Sequence, residues 1–180
     1  MGVNKRTAEA PSALEGLDMN SVKYALQFRY GLVRYIYTQF FQVHLMGGAV
    51  YRPVFFEFNE DPNKFTETHF MIGKDMLVTA VLNEGATNVT DYIPAGKWAH
   101  VFNGTIINSK GEKHTIPVDE YSILAHIREG SIIPTQDTFN GNISSTQNLL
   151  HKPIELRMLP NTNATVWADG TLIYDDGVEA

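Results

Sequence analysis

Residues 44–58 read HLMGGAVYRPVFFEF, and the hydrophobic pattern of the chain changes within this stretch. Before it, residues 22–45 carry apolar side chains at the three- to four-residue spacing of a helix. After it, short β-type runs alternate with Gly, Pro, Asn and Asp. Gly47 and Gly48 are typical helix-ending residues, so the pattern predicts one long helix followed by a mainly β region.

The predicted helix begins near Asn20 and Ser21. We interpret Asn20 as the residue that caps the free backbone amides, and Asp18 as a polar residue at the helix entry. A helix of about 25 residues is long enough to cross a bilayer. Arg29, Arg34 and other polar side chains interrupt the run, however, so no membrane span is expected.

Ten runs beyond Gly48 have the composition of strands: residues 50–58, 76–82, 89–93, 98–102, 114–118, 122–127, 131–133, 154–159, 165–168 and 172–174. Many short strands with no helical pattern after about residue 76 favour an antiparallel β-sandwich over a parallel α/β sheet. The expected fold class is therefore α+β or mainly β.

Composition narrows the possible functions. The 180 residues are 43% hydrophobic, which is typical of a globular protein. The net charge is −6 and the basic residues are scattered, so nucleic acid is not expected as a partner. The chain has no cysteine, which excludes disulfides, zinc-thiolate sites, iron–sulfur clusters and thiol nucleophiles.

The N-terminal residues lack the apolar stretch of a signal peptide. Four Asn-x-Ser/Thr sequons nevertheless occur, at Asn88, Asn103, Asn142 and Asn163. If they carry glycans, the chain is the downstream part of a longer secretory-pathway protein. Unglycosylated surface turns are the alternative interpretation.

Few residues have the spacing of a catalytic or metal site. The six histidines are spread singly, with no metal-ligand spacing, and no cofactor or metal is expected. Glu57, Glu60 and Asp61 follow a strand-like run, where catalytic carboxylates can lie. The favoured interpretation is structural, with Glu57 paired to Arg52 or another base and residues 59–62 forming a turn.

Several segments together resemble glycoside hydrolase family 31, the family of lysosomal α-glucosidase, maltase-glucoamylase and sucrase-isomaltase. The segments are RYGLVRYIYT at 29–38, GAVYRPVFFEF at 48–58, FMIGKDMLVTAVL at 70–82, YIPAGKW at 92–98, REGSIIP at 128–134 and YDDG at 174–177. They follow the order of the family motifs over about residues 5–177, so the resemblance is specific although each motif alone is weak.

The resemblance implies that residues 1–75 form the C-terminal end of a β/α-barrel catalytic domain. Residues 50–58 would be the last barrel strand, and residues 76–180 would be the proximal C-terminal β-sandwich. The parent reaction would be retaining hydrolysis of α-linked glucosides by two aspartates. Both aspartates would lie upstream of Met1, so the isolated chain is expected to be inactive. The substrate of the complete parent would be an α-glucoside or oligosaccharide. The partner of this chain would be the upstream barrel of the same polypeptide.

Asp18 lies in a segment, residues 18–20, that is similar to the DMN of the family's nucleophile motif. The following Ser21 replaces the motif's Glu, and no strand-forming run precedes Asp18, so we do not interpret it as the nucleophile. The chain also departs from the family pattern at Val33-Arg34, Thr68-His69 and Glu129.

Two other functions remain open. One is a free-standing carbohydrate-binding sandwich, in which Trp98, Trp167 or Tyr121 stacks on sugar rings, although Trp98 has the pattern of a core residue. The other is an inactive gene remnant. The predicted function is the C-terminal, scaffolding portion of an α-glucosidase-like enzyme.

Overall fold

The structure, a computed structural model, describes residues 18–61, 66–101, 103–140, 143 and 145–174. This part of the chain is mainly β, with two helices. The helices are α1 (Met19–Gly31) and α2 (Val33–Met46), and the strands are β1 (Tyr51–Arg52), β2 (His69–Ile72), β3 (Met76–Thr79), β4 (Asn88–Ile93), β5 (Gly96–His100), β6 (Ile106–Ser109), β7 (Glu112–Pro117), β8 (Leu124–Arg128), β9 (Ser131–Thr135) and β10 (Glu155–Leu159). No helix within the described ranges has the length and apolar character needed to span a bilayer.

The single long helix of the sequence analysis is wrong, because the chain breaks at Leu32. The carbonyl of Gly31 accepts a hydrogen bond from the Gln136 amide at 3.0 Å, which brings another backbone against the helix. A Cβ at Gly31 would lie 2.9 Å from the Gln136 carbonyl oxygen, so this approach requires glycine. The predicted end of the helix at Gly47 is confirmed.

Asp18, not Asn20, caps α1. The Asp18 carboxylate accepts hydrogen bonds from the backbone amides of Asn20, at 3.3 Å, and Ser21, at 2.7 Å. Asn20 already lies in the first helical turn, so its side chain is on the wrong side of the amides that need a partner. These hydrogen bonds, led by the one from the Ser21 side chain, lower the pKa of Asp18.

Six strands form the main sheet, in the order β1-β2-β3-β8-β5-β6. Two ribbons, β4–β7 and β9–β10, complete the strand pairing, and every ladder between the described strands is antiparallel, as predicted. The main sheet draws strands from both sides of residue 75. The division into two domains at residues 75 and 76 stays a prediction.

Three strand predictions are wrong, and two strands were not predicted. Within residues 50–58 only Tyr51–Arg52 is a strand, because Pro53 has no amide hydrogen for a ladder and leads into a 3-10 turn at Val54–Phe56. Residues 165–168 and 172–174 are irregular. The unpredicted strands are β2 and β6.

The main sheet is covered on both faces. On one face Met71, Leu77 and Trp98 pack with Ile93 of the β4–β7 ribbon. Trp98 is fully buried, as its pattern predicted, and its indole N–H donates to the Pro94 carbonyl at 2.9 Å. On the opposite face the side chains pack against α1, α2 and the β9–β10 ribbon, and that core contains Leu32, Tyr35, Ile72, Met76, Ile127, Ile133 and Leu159.

A buried polar cluster attaches α2 to this second face. The Tyr35 hydroxyl donates to the Ile72 carbonyl at 2.6 Å, and the Ser131 hydroxyl donates to the Asp75 carboxylate at 2.8 Å. Burial raises the pKa of Asp75, partly opposed by the hydrogen bond from Ser131. Because the Tyr35 hydroxyl also lies 3.4 Å from the Asp75 carboxylate, α2, β9 and the turn before β3 meet at one carboxyl group.

The C-terminal strap, residues 160–174, returns along the same side of the molecule. The Ile132 amide donates to the Asp169 carbonyl at 2.9 Å, and the Asp169 amide donates to the Gly130 carbonyl at 3.0 Å. Farther along, the Ile173 amide donates to the Thr38 hydroxyl at 3.0 Å. The strap thus joins the start of β9 to α2.

Two histidines lie directly opposite each other within the main sheet. His126 of β8 is in register with His100 of β5, and the ring centroids are 5.2 Å apart. His126 is 1% exposed. Burial, with the nearby His100 as the second cause, lowers the pKa of His126 from 6.5 to about 4, so this imidazole is neutral at physiological pH.

Replacing Gly73 by alanine should destabilise the fold by about 2–4 kcal/mol. Gly73 has a φ of 59°, and a Cβ there would collide with the Gln39 amide oxygen and lie 2.7 Å from the Tyr35 hydroxyl. Gly85→Ala is the matched control, because Gly85 has a φ of 68° with open space around it, and it should lose only about 1 kcal/mol. Urea unfolding measures both losses, and equal losses would contradict the close approach at Gly73.

The free energy of unfolding should decrease as the pH falls from about 6.5 to 4. The unfolded chain then takes up a proton on residue 126 that the folded chain excludes. With a pKa of about 4 for His126, this loss amounts to as much as about 3 kcal/mol at pH 4 relative to pH 7. Asp75 changes the free energy of unfolding in the opposite direction, because a raised carboxyl pKa costs stability as the pH rises. The test therefore needs a variant at position 126.

His126→Gln should therefore flatten the dependence of stability on pH, measured by urea titrations at pH 7 and pH 4.5. His151→Gln, at an exposed position, is the control and should keep the wild-type slope. Identical slopes for the wild type and His126→Gln would show that the buried imidazole is not the source of the effect.

Candidate functional site

The three carboxylates singled out in the sequence line one open pocket of about 450 Å³. Glu57, Glu60 and Asp61 surround it, with Tyr92 and Lys110 opposite. The 3-10 turn at Val54–Phe56 positions them, because it ends the strand early and turns the following residues outward. The structure thus brings together the residues that the sequence proposed.

Structural partners occupy two of these carboxylates. The guanidinium of Arg52 binds one oxygen of Glu57, and Arg128 lies 4.0 Å from the other. Asp61 accepts a hydrogen bond from the Tyr92 hydroxyl. Since both oxygens of Glu57 face arginines, its best-supported role is to fix Arg52 and Arg128, as the ion-pair interpretation predicted.

A second cavity, which we call the histidine groove, lies between the main sheet and the β4–β7 ribbon. Its volume is about 440 Å³, and it is lined by His100, His114 and His126. Sequence reasoning missed this group, because the pairing of β5 with β8 joins segments that are remote along the chain. No group of three or more His, Cys, Asp or Glu side chains in the described ranges has the geometry of a metal site.

His69 lies apart from the groove and has structural contacts. One ring nitrogen is 2.7 Å from the Thr66 hydroxyl, and the other is 3.3 Å from the Asp91 carboxylate. His69 and Asp91 are both buried. This hydrogen-bond chain connects β2 to β4, and Asp91 orients the imidazole.

Two aromatic candidates for sugar stacking reach the surface. Trp167 is 64% exposed on the C-terminal strap, and Tyr121 is 38% exposed at the edge of the histidine groove. Trp98 is excluded from such a role by its complete burial.

Three of the four sequon asparagines lie in the described part of the chain, and Asn88, Asn103 and Asn163 are all exposed. Asn142 lies outside the described residues, as do Asp175, Asp176 and Gly177 of the late turn. Glycosylation at any of the four positions stays a prediction.

Residues 47–133 match the family profile described as the glycosyl hydrolase family 31 C-terminal domain. Among curated proteins, intestinal sucrase-isomaltase of Rattus norvegicus is 31% identical over 176 residues, covering 97% of this chain. Lysosomal alpha-glucosidase of Mus musculus is 34% identical over 176 residues, covering 87% of this chain.

The fold is also similar to that of solved structures. The glucose complex of the family 31 dextranase from Flavobacterium johnsoniae matches 79% of this chain and 17% of its own, with a TM-score of 0.70 and 24% identity. At that identity the likeness is one of fold alone.

This chain spans 9% of the length of the sucrase-isomaltase and 18% of that of the lysosomal enzyme. The profile match covers β1 to β8 and most of β9, including the main sheet and the β4–β7 ribbon. Through these relatives the chain belongs to glycosyl hydrolase family 31, and it contains a match to the C-terminal domain of that family.

Proposed function

We propose that this chain is the C-terminal portion of an α-glucosidase-like glycoside hydrolase and braces the catalytic domain without supplying the catalytic carboxylates. Its relatives are named sucrase-isomaltase and lysosomal alpha-glucosidase, and it matches a small share of each. The complete parent would hydrolyse α-linked glucosides with retention, using two carboxyl groups about 5 Å apart. Residues 1–75 would complete the barrel, and residues 76–180 would form the sandwich beside it.

One surface of the structure carries this proposal. The α2 apolar surface consists of Tyr37, Phe40, Phe41, Leu45 and Met46, all exposed on one helix. Tyr37, Phe41 and Leu45 are four residues apart, so they form a stripe along the helix. Soluble monomers rarely expose so much contiguous apolar surface, which supports a role in contact with another part of a larger protein.

The apolar character continues on the neighbouring edge of the main sheet. Tyr51 of β1 and Phe70 of β2 are exposed, and their ring centroids are 6.1 Å apart. β1 is the edge strand, so one side of it has no ladder partner in the main sheet. A free edge beside an apolar helix suits the attachment of further strands and helices.

The state of the carboxylates agrees with a supporting role. Glu57 is paired with arginines, Asp61 with a tyrosine hydroxyl, and Asp18 with backbone amides. Each contact assigns a structural task to a carboxylate that the sequence had offered for chemistry.

The proposed location of the parent is the secretory pathway. One relative is named lysosomal and another intestinal, and three of the sequon asparagines are exposed. Glycans at these exposed positions would remain in solvent.

A carbohydrate-binding β-sandwich is the second candidate. Tyr121 at the edge of the histidine groove favours it, since an exposed tyrosine ring offers an apolar face to a sugar.

The purified, folded chain should not cleave p-nitrophenyl α-glucoside, because Glu57, Asp61 and Asp18 have structural partners and a retaining glycosidase needs a free pair of carboxyl groups. Far-UV circular dichroism and a cooperative urea transition establish that the sample is folded. A complete family member serves as the positive control for the assay. Turnover that disappears in Asp18→Asn would overturn the proposal and make Asp18 a catalytic residue.

The isolated chain should self-associate through the α2 apolar surface, and Leu45→Glu should shift it towards the monomer. Leu82→Glu is the matched control, because Leu82 is 69% exposed and Leu45 67%, and Leu82 lies in the loop after β3. Size-exclusion chromatography with light scattering measures the mass. If both variants have the wild-type mass distribution, α2 is not an interaction surface.

A further inference from the structure

The histidine groove is built from two elements that pack face to face. His100 and His126 come from the main sheet, and His114 and Ile116 come from β7 of the ribbon. Its volume of about 440 Å³ lies within the range of small-molecule sites. The groove has the exposed Tyr121 at its edge and the buried His126 in its wall, so a ligand can enter from solvent while one of its sides stays buried.

Two ring nitrogens at the groove lack a hydrogen-bond partner. They are Nδ1 of His126 and Nε2 of His114, and both atoms are buried. The nearest acid to His114 is Glu112, at 4.0 Å, beyond hydrogen-bond distance. Buried polar atoms are nearly always paired, so two such atoms lining one cavity indicate a partner from outside the chain.

The two histidines that the main sheet contributes to the groove do not favour an anionic ligand. His126 is neutral at physiological pH, and burial lowers the pKa of His100 as well. A neutral imidazole presents one donor and one acceptor nitrogen. Hydroxyl groups, which both donate and accept, match these nitrogens, whereas an anion would meet no positive charge from the rings of His100 and His126.

The edge of the groove supplies an apolar, rigid surface. The Tyr121 ring meets Tyr24 edge to face, with centroids 6.1 Å apart. Its backbone is held by a turn, in which the Asp119 carboxylate accepts from the Tyr121 amide at 3.0 Å and from the Ser122 hydroxyl at 2.7 Å. A preorganised aromatic ring loses little freedom when a ligand stacks on it.

An apolar face on one side and hydrogen-bonding nitrogens on the other match a ring with one C–H face and a hydroxylated edge. We propose that the histidine groove binds a neutral pyranose sugar, with its ring face against Tyr121 and its hydroxyls towards His114 and His126. This proposal rests on the second candidate function, the carbohydrate-binding sandwich, and names its site and ligand. It is independent of the supporting role, because binding here requires neither turnover nor the α2 apolar surface.

The six histidines allow a direct test. Their imidazole C2–H signals, assigned with single His→Gln variants, are followed by NMR while the full chain is titrated with methyl α-glucopyranoside to about 100 mM. His100, His114 and His126 should shift together and saturate, with a millimolar dissociation constant. His44, His69 and His151 lie outside the groove and should not move.

Two variants separate the loss of ring stacking in the groove from the effect of removing any exposed aromatic ring. Tyr121→Ala should weaken binding about three- to tenfold, since it removes the aromatic surface. Trp167→Ala is the control, because Trp167 is exposed but does not line the groove, and it should bind as the wild type does.

Three results would overturn the proposal: no saturable shift, equal shifts of all six histidines, or equal weakening by both aromatic variants. Cyclohexanol serves as a second probe that has the ring without the set of hydroxyls. If cyclohexanol binds and the sugar does not, the proposal is overturned and the groove is an apolar site. A turnover assay on the same samples reports on the supporting role independently.

Discussion

The main sheet has two apolar faces, and both have to be removed from water. Antiparallel sheets often leave one face in solvent, but here Trp98 and Met71 point one way while Met76 and Ile127 point the other. The need to bury both faces explains why other elements pack on each side of the main sheet. The β4–β7 ribbon covers the first face, and the helices with the β9–β10 ribbon cover the second, so no single layer is stable by itself.

Covering both faces also explains where the polar groups lie. Layers that meet over a large area enclose side chains that would otherwise be hydrated, including Asp75 beneath α2 and His126 beneath the ribbon. Burial pushes each group towards its uncharged form, although the two pKa values move in opposite directions. One of these groups is satisfied within the chain. The other has a nitrogen without a partner, and it borders a cavity.

The local sequence pattern predicted which segments form helices or strands, but it did not predict the contacts between segments that are far apart in the sequence. The end of α2 at Gly47 and most strands after residue 76 follow from local composition. The break at Leu32 depends on Gln136, which is more than a hundred residues away, and no local rule contains that contact. The same limit applies to the sites: Glu57 beside Arg52 is a local pair and was predicted, whereas His100 opposite His126 depends on strand pairing.

The C-terminal strap, only 15 residues long, links β9 to α2 on the second face of the main sheet. It adds backbone hydrogen bonds at Gly130 and Ile132 and then reaches the Thr38 side chain on α2, while the Tyr174 ring lies 5.0 Å from the Arg34 guanidinium. Gly170 passes so close to the Ile132 carbonyl that any side chain there would collide. A shortened polypeptide that stops after β10 would therefore keep every described strand but lose the contacts of the strap with Thr38 and Arg34, so a designed fragment should extend at least to Tyr174.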